Sequence, residues 1–177
     1  RLQVIKYLVA DYFSALATWT LFYAFRKVFH EREFFEYPID VVYDNNYYLG
    51  LALIPVFWIV LYGLTGQYEN IFRKYRLREL GQTIVISFVG VFIIFFALLL
   101  DDVVASYHNH YQSFFALFGI HFLITYLLRL ILTTRNVKRI HRRDIGFPTL
   151  LVGGNKRAVN IFNEIEGMAK SPGNKFK

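Results

Sequence analysis

The chain has 177 residues and a net charge of +7, with 55% hydrophobic, 19% charged and 19% aromatic residues and no cysteine. A typical soluble domain carries about 25% charged residues. These proportions exclude a disordered chain and a disulfide scaffold, and they disfavour a soluble globular domain. In a membrane protein, such a basic surplus reflects cytoplasmic loops, so we expect no nucleic-acid partner.

Four apolar blocks follow one another along the chain, over residues 4–25, 47–66, 80–100 and 113–133. Each has about 20 residues, and a helix of that length covers the roughly 30 Å hydrocarbon core of a bilayer. Between Ile84 and Leu100, only Ser87 and Gly90 interrupt the apolar run. The sequence therefore predicts an all-α transmembrane fold with a four-helix membrane bundle.

Basic residues in the connections predict the orientation of the bundle. Residues 67–79 hold four Lys or Arg and the segment after the fourth block holds five, whereas residues 101–112 hold none. Because basic loops stay cytoplasmic, both termini are predicted to face the cytoplasm. The first connection, residues 26–46, carries Arg26, Lys27 and Arg32 and is nevertheless placed outside.

Aromatic residues and breakers add detail to the predicted bundle. Interfacial anchors are expected at both membrane faces, from Trp19, Tyr23, Tyr47 and Tyr48 on the outer side and from Tyr62 and Tyr68 on the inner side. Pro55 and Gly63 predict a kink or close packing in the second helix.

Three polar residues within the apolar blocks are candidates for function, namely Asp11, His121 and Arg129. Asp11 has two interpretations: we favour a near-interface side chain that reaches lipid headgroups, and the alternative is pairing with Arg129. His121 is expected to be a hydrogen-bonded packing residue rather than a ligand.

The third connection holds residue types that suit a divalent metal, namely His108 and His110 near Asp101 and Asp102. Their loose spacing in an exposed loop favours ordinary loop residues, so we predict no metal site. Neither a nucleophile–base arrangement nor a phosphate-binding motif stands out along the chain. We therefore expect no catalytic residue and no cofactor in it.

A basic juxtamembrane linker, residues 135–148, follows the predicted membrane domain, residues 1–134. Its residues 135–143 are expected to continue the fourth helix and to lie against anionic headgroups. Candidate contacts with headgroups or with other domains come from both cytoplasmic segments: Arg73, Lys74, Arg76, Arg78, Lys138, Arg139, Arg142 and Arg143.

Residues 149–177 predict the start of a Rossmann-like α/β module. Residues 149–152 favour a short buried strand, and residues 158–168 favour an amphipathic helix. The turn resembles a degraded dinucleotide fingerprint with Gly153, Asn155 and Ala158 at the diagnostic positions, where Asn155 replaces a glycine. Gly153, Gly154 and Asn155 are therefore only weak candidates for cofactor binding, and a fold without a dinucleotide is favoured. Since such a strand needs partners, and the chain begins at Arg1, we expect a piece of a longer protein.

Two segments carry a family resemblance. They are residues 66–80, with Tyr68, Arg73, Arg76 and Glu79, and residues 150–158, LLVGGNKRA. Both resemble the N-terminal half of the bacterial polyprenyl-phosphate sugar-1-phosphate transferases, the large monotopic phosphoglycosyltransferases that initiate exopolysaccharide, capsule and O-antigen chains. Tyr75 departs from the family pattern, in which a small residue, often Ser, is expected.

The resemblance implies a multi-pass homodimer in the bacterial inner membrane, with a UDP-sugar and polyprenyl phosphate as substrates. In the family, an Asp of an Asp-Glu pair in a C-terminal catalytic domain attacks the β-phosphate, and Mg²⁺ offsets phosphate charge. That domain is expected beyond Lys177, which makes this chain the non-catalytic, membrane-anchoring part. The alternative is a non-enzymatic four-helix scaffold or regulator with a nucleotide-sensing module; a small transporter or channel is less favoured.

Overall fold

Four long helices dominate the computed structural model of the chain, which describes residues 2–28, 43–69, 71–99 and 107–176. They are α1 Leu2–Arg26, α2 Asn45–Leu64, α3 Arg76–Ile94 and α4 Tyr107–His141. A π-helical segment, Phe95–Leu99, extends α3. All four are long and apolar enough to cross a membrane, which confirms the prediction of four such helices.

The four helices form a bundle in which α1 packs on α2 and α4, and α3 packs on α4. The core surrounds the ring of Trp58, which is fully buried with Phe22 and Val91. The outer surface is also apolar: Phe13, Val85 and Phe115 each expose 60% or more of their surface. An apolar exterior around an apolar core suits lipid rather than water as the surrounding solvent.

Glycines allow two close helix contacts. A Cβ added at Gly50 would collide with the Trp19 ring, and one added at Gly90 would collide with the Trp58 ring. At Gly63, by contrast, an added Cβ would meet open space, so the predicted close packing at that residue is wrong. Pro55 is buried within α2, which continues as one helix to Leu64.

A small α/β unit follows the bundle. It contains strand β1 Phe147–Thr149, helix α5 Lys156–Gly167 and strand β2 Asn174–Phe176. The strands pair in parallel, with Phe147 opposite Asn174. The predicted buried strand at residues 149–152 is wrong, because the strand ends at Thr149 and Val152 is 87% exposed. Strand β2 gives β1 one parallel partner.

Helix α4 crosses the predicted domain boundary at residue 134 without a break and continues to His141, which confirms the expected extension. It ends in the two hydrogen bonds of a Schellman motif, from Arg143 N to Ile140 O (2.9 Å) and from Asp144 N to Arg139 O (3.1 Å). Arg143 occupies the left-handed position (φ 65°) where glycine is usual.

Contacts with the α/β unit surround this helix end. Arg143 Nη1 lies 2.6 Å from Glu166 Oε2, and its Nη2 also donates to the Glu166 carbonyl oxygen. Ser171 N donates to His141 O (3.3 Å). The C-terminal unit is therefore attached to α4 at both α5 and the segment that leads into β2.

Candidate functional site

A cluster of buried charged and polar side chains lies between three helices and the loop that joins α2 to α3. We call it the charge cluster and define it by Asp11 of α1, Gln67, Tyr68 and Lys74 of the loop, Glu79 of α3 and Arg129 of α4. Two carboxylates face two cations, so the formal charges balance. Buried charges are costly unless they are paired and hydrogen-bonded. Each charge of this cluster has an opposite charge within 3.4 Å, and Glu79 Oε2 makes no hydrogen bond within the described residues.

Arg129 is the centre of the charge cluster. Its Nε and Nη2 donate to Oδ1 and Oδ2 of Asp11 at 2.8 and 2.7 Å, which is the strong two-pronged form of this ion pair. Asp11 is 1% exposed and Arg129 is fully buried. The interpretation that Asp11 reaches lipid headgroups is therefore wrong, and the alternative, pairing with Arg129, is confirmed.

The third guanidinium nitrogen of Arg129 connects α4 to the loop and to α3. Nη1 donates to Gln67 Oε1 at 3.0 Å and lies 3.4 Å from Glu79 Oε1. The Tyr62 ring lies under the guanidinium, with the ring centroid 4.0 Å from Cζ. Tyr62 is fully buried, so it stabilises the cation from inside the bundle and is not the interfacial anchor predicted from sequence.

Lys74 supplies the second cation of the cluster. Its Nζ donates to Gln67 Oε1 at 2.9 Å and lies 3.4 Å from Glu79 Oε2. Burial lowers the pKa of Lys74 from its usual value, and the neighbouring Glu79 charge opposes that shift. Lys74 was predicted to contact headgroups or other domains. It is instead buried, with 6% of its surface exposed, and it contacts Gln67 and Glu79.

Tyr68 closes the cluster on the loop side. Its hydroxyl donates to Asp11 Oδ2 at 3.0 Å. Burial, and then the Asp11 charge, raise the pKa of Tyr68, so the hydroxyl stays protonated and remains a donor at neutral pH. Asp11 Oδ2 thus accepts from both Tyr68 and Arg129.

The end of α2 explains why the loop turns back toward the bundle. Gly66 has φ 68°, and its N donates to Gly63 O (3.1 Å) while Gln67 N donates to Tyr62 O (2.9 Å). These bonds form a Schellman motif with glycine in the left-handed position. The chain therefore reverses directly after α2, and Gln67 and Tyr68 enter the cluster.

His121 joins the charge cluster to the apolar core. Its ring stacks on Trp58 with centroids 3.6 Å apart, and Nε2 lies 2.9 Å from the Tyr62 hydroxyl oxygen. Thr125, one turn further along α4, donates to Ser14 Oγ at 3.0 Å. His121 is fully buried, so the prediction of a hydrogen-bonded packing residue is confirmed.

The remaining predicted cations lie at the surface. Five of them are exposed, and their headgroup contacts stay predictions: Arg76, Arg78, Lys138, Arg139 and Arg142. Arg143 contacts Glu166 of the α/β unit. It therefore forms an interdomain contact, which is one of the two roles predicted for these cations. The side chain of Arg73 lies outside the described part of the structure.

The residues of the third connection give no metal site that the structure can describe. Asp101 and Asp102 lie outside the described residues, as does the side chain of His108. His110 lies in α4, edge-on to Phe95 at a centroid distance of 6.1 Å. Among the described residues, no group of three or more potential ligands is placed to hold a metal ion.

The turn before α5 has a capping role. Asn155 Oδ1 accepts from Ala158 N at 3.1 Å, the bond of an N-cap. Gly153 and Gly154 do not adopt the positive φ values found at Gly66 and Gly173. Asn155 therefore has a structural reason to replace the fingerprint glycine, and the absence of a dinucleotide stays a prediction.

Tyr7 and Thr133 tie α1 to α4 close to the charge cluster, with 2.7 Å between their hydroxyl oxygens. Together with the Asp11–Arg129 pair, this contact fixes the relative register of the two helices.

Comparisons of the chain with protein-family models, with curated proteins and with solved structures gave no match. The geometry of the charge cluster indicates a structural role, because the cluster cross-links three helices and a loop.

Proposed function

We propose that the chain is the membrane-anchoring, non-catalytic N-terminal part of a bacterial enzyme that transfers a sugar-1-phosphate from a UDP-sugar to polyprenyl phosphate, which initiates exopolysaccharide, capsule or O-antigen synthesis. The observation that carries the anchoring role is the continuity of α4. This helix runs for 35 residues from the apolar bundle into the basic segment. It ends against the α/β unit, which gives the bundle a stiff connection to whatever follows.

The length of α4 supports this role. At about 1.5 Å per residue it extends about 52 Å, well beyond the roughly 30 Å hydrocarbon core. Its last turn carries Lys138, Arg139 and His141, which suits the cytoplasmic headgroup region of an inner membrane. We therefore place both termini in the cytoplasm and the α/β unit, as the start of a Rossmann-like module, close to the inner leaflet.

The charge cluster supports the proposal through the loop that carries the family resemblance. Tyr68 and Glu79, two of the residues on which the resemblance rests, contact Asp11 and Arg129 respectively. The shape of this loop is therefore coupled to the packing of α1 and α4. On this proposal, the cluster holds the cytoplasmic end of the bundle rigid so that the following domains keep one orientation.

The chemistry itself would take place in a C-terminal catalytic domain. A carboxylate there would attack the β-phosphate of the UDP-sugar, UMP would leave, and polyprenyl phosphate would then take the sugar phosphate. Mg²⁺ would act in that domain, and we assign none of the described residues to it. A homodimer is part of the same proposal.

The test uses the protein from its complete reading frame, in membranes, with UDP-sugars and polyprenyl phosphate. We expect UMP release that requires both polyprenyl phosphate and Mg²⁺. Glu166→Gln, which removes the charge that faces Arg143 Nη1 but keeps the bond to the Glu166 carbonyl, should lower that rate, whereas the neighbouring exposed Glu164→Gln serves as the matched control. If no UDP-sugar yields UMP and the protein instead binds a dinucleotide, the non-enzymatic regulator replaces this proposal.

A further inference from the structure

A cavity of about 450 Å³ lies between α1 and α4, near the N-terminus of α1 and the basic end of α4. Three cations line it, namely Lys6 from α1 and Arg135 and Arg139 from α4. Arg135 and Arg139 are one helical turn apart, so they lie on the same face of α4. None of the described acidic residues lines the cavity, which leaves a local surplus of positive charge.

One residue that lines the cavity has a buried donor without a partner. Asn136 lines the cavity and is 4% exposed, yet its Nδ2 forms no hydrogen bond within the described part of the protein. An unpaired buried amide donor costs free energy, and nearly all such groups in folded proteins have a partner. A ligand oxygen in the cavity would supply the missing acceptor.

The rest of the lining is apolar. Ile5 and Val9 on α1 and Leu132 on α4 border the same space. Ile5 and Val9 are exposed on the outer surface of the bundle, where acyl chains would lie beside them if the helices span a bilayer. The cavity therefore combines a cationic part with an apolar part that is continuous with the lipid-facing surface.

We propose that this cavity binds an anionic lipid, with the lipid phosphate between Lys6, Arg135 and Arg139 and one acyl chain along Ile5 and Val9. Asn136 Nδ2 donates to a phosphate oxygen. The positive charge of the cavity complements the negative charge of the lipid phosphate. Each of the three cations lowers the free energy of binding, and their contributions add. The proposal rests on the proposed membrane location, but it does not depend on transferase activity.

The experiment measures binding of phosphatidylglycerol and of phosphatidylcholine to the purified protein in detergent, by native mass spectrometry of the one-to-one adduct. We expect tight binding of phosphatidylglycerol only. The double variant Arg135→Gln/Arg139→Gln should weaken that binding about 30-fold, from the contribution of two headgroup cations. The double variant Lys156→Gln/Arg157→Gln is the matched control, since it also removes two exposed cations, neither of which lines the cavity, and it should bind as the wild type does.

Asn136→Leu separates a ligand contact from a packing role. It should weaken phosphatidylglycerol binding about tenfold, because a hydrogen bond to a charged phosphate is lost. The melting temperature of the lipid-free protein should not fall, because the variant also removes an unpaired buried donor. A fall in melting temperature with unchanged lipid affinity would show that Asn136 only packs.

Two results would overturn the proposal. If Lys156→Gln/Arg157→Gln weakens binding as much as Arg135→Gln/Arg139→Gln, the attraction is a general one between a basic surface and anionic headgroups. If millimolar inorganic phosphate displaces phosphatidylglycerol, the cavity takes free phosphate and the acyl contacts contribute nothing. Neither measurement uses a UDP-sugar, so a failure here and a failure of the transferase proposal are distinguishable.

Discussion

Asp11 and Arg129 form a two-pronged ion pair inside the bundle although 118 residues separate them in the chain. Arg129 also contacts Glu79, which in turn lies beside Lys74. Removal of one member of such a group leaves a buried charge without its partner, whereas removal of a matched pair does not. The cluster should therefore behave as a unit, and its members should not contribute independently to stability.

A double-mutant cycle tests that unit. Arg129→Met leaves Asp11 and Glu79 facing only Lys74, and it should lower the free energy of unfolding by about 3 kcal/mol. Adding Asp11→Leu should restore part of the loss, because the Glu79–Lys74 pair then remains alone and balanced. Tryptophan fluorescence during thermal unfolding in detergent compares Arg129→Met, Asp11→Leu and the double variant with the wild type. Strictly additive losses would show that the two residues are not coupled.

Lys74 and Arg78 lie in the same basic segment but should respond differently to substitution. Lys74→Met removes the cation beside Glu79 and one hydrogen bond to Gln67, and it should destabilise the protein by about 2 kcal/mol. Arg78→Met removes an exposed charge and should leave the melting temperature unchanged. Equal melting temperatures for the two variants would contradict the buried position of Lys74.

The glycine contacts predict a difference between positions that look alike in the sequence. Gly90→Ala drives a methyl group into the Trp58 ring and should cost about 1–3 kcal/mol of stability. Gly63→Ala, at a position with open space around it, should be neutral or slightly stabilising. The two melting temperatures, measured side by side, check the assignment. A larger loss at Gly63 would place the close helix contact elsewhere.

Tyr75 places an aromatic residue at the start of α3, whereas a small residue, often Ser, is expected there in the family that we propose for this chain. It occupies the N-cap of α3 with an extended backbone (φ −116°, ψ 160°), and its side chain makes no capping hydrogen bond. A Ser at this position can accept from the backbone of the first turn, so Tyr75→Ser should stabilise the protein by about 0.5–1 kcal/mol relative to Tyr75→Ala. Both variants lose the ring, so a difference in melting temperature reports the cap alone. Identical values would exclude a capping contribution.

The four helices could be predicted from sequence because each is a local property of about 20 consecutive apolar residues. The charge cluster could be predicted only in part. A charged residue near the end of an apolar block has the same sequence signature whether it extends to headgroups or pairs inside the bundle, and Asp11 illustrates this ambiguity. Residues 67–79 hold two acids, Glu69 and Glu79, and only packing decides that Glu69 is exposed and Glu79 is buried.

The errors in the C-terminal unit have a different cause. Strand β2 has three residues, Asn174–Phe176, and gains its structure from pairing with β1, which no local pattern reveals.

Likewise, Trp19 and Tyr62 match the composition of an interfacial belt, but they are buried by tertiary contacts with Gly50 and Arg129. The sequence pattern of such a residue is compatible with both an interfacial and a buried position. Packing between segments that are distant in the chain determines which of the two positions the residue occupies.

In the proposed topology, α4 leaves the membrane on the cytoplasmic side, and the α/β unit lies there. Because the chain has no cysteine, single substitutions give an unambiguous label. We expect Asn46→Cys, at the start of α2, to react with a membrane-impermeant maleimide in intact cells whose outer membrane has been made permeable. Lys156→Cys, at the start of α5, should react only after the inner membrane is disrupted. Labelling of Lys156→Cys in intact cells, with protection of Asn46→Cys, would contradict the account.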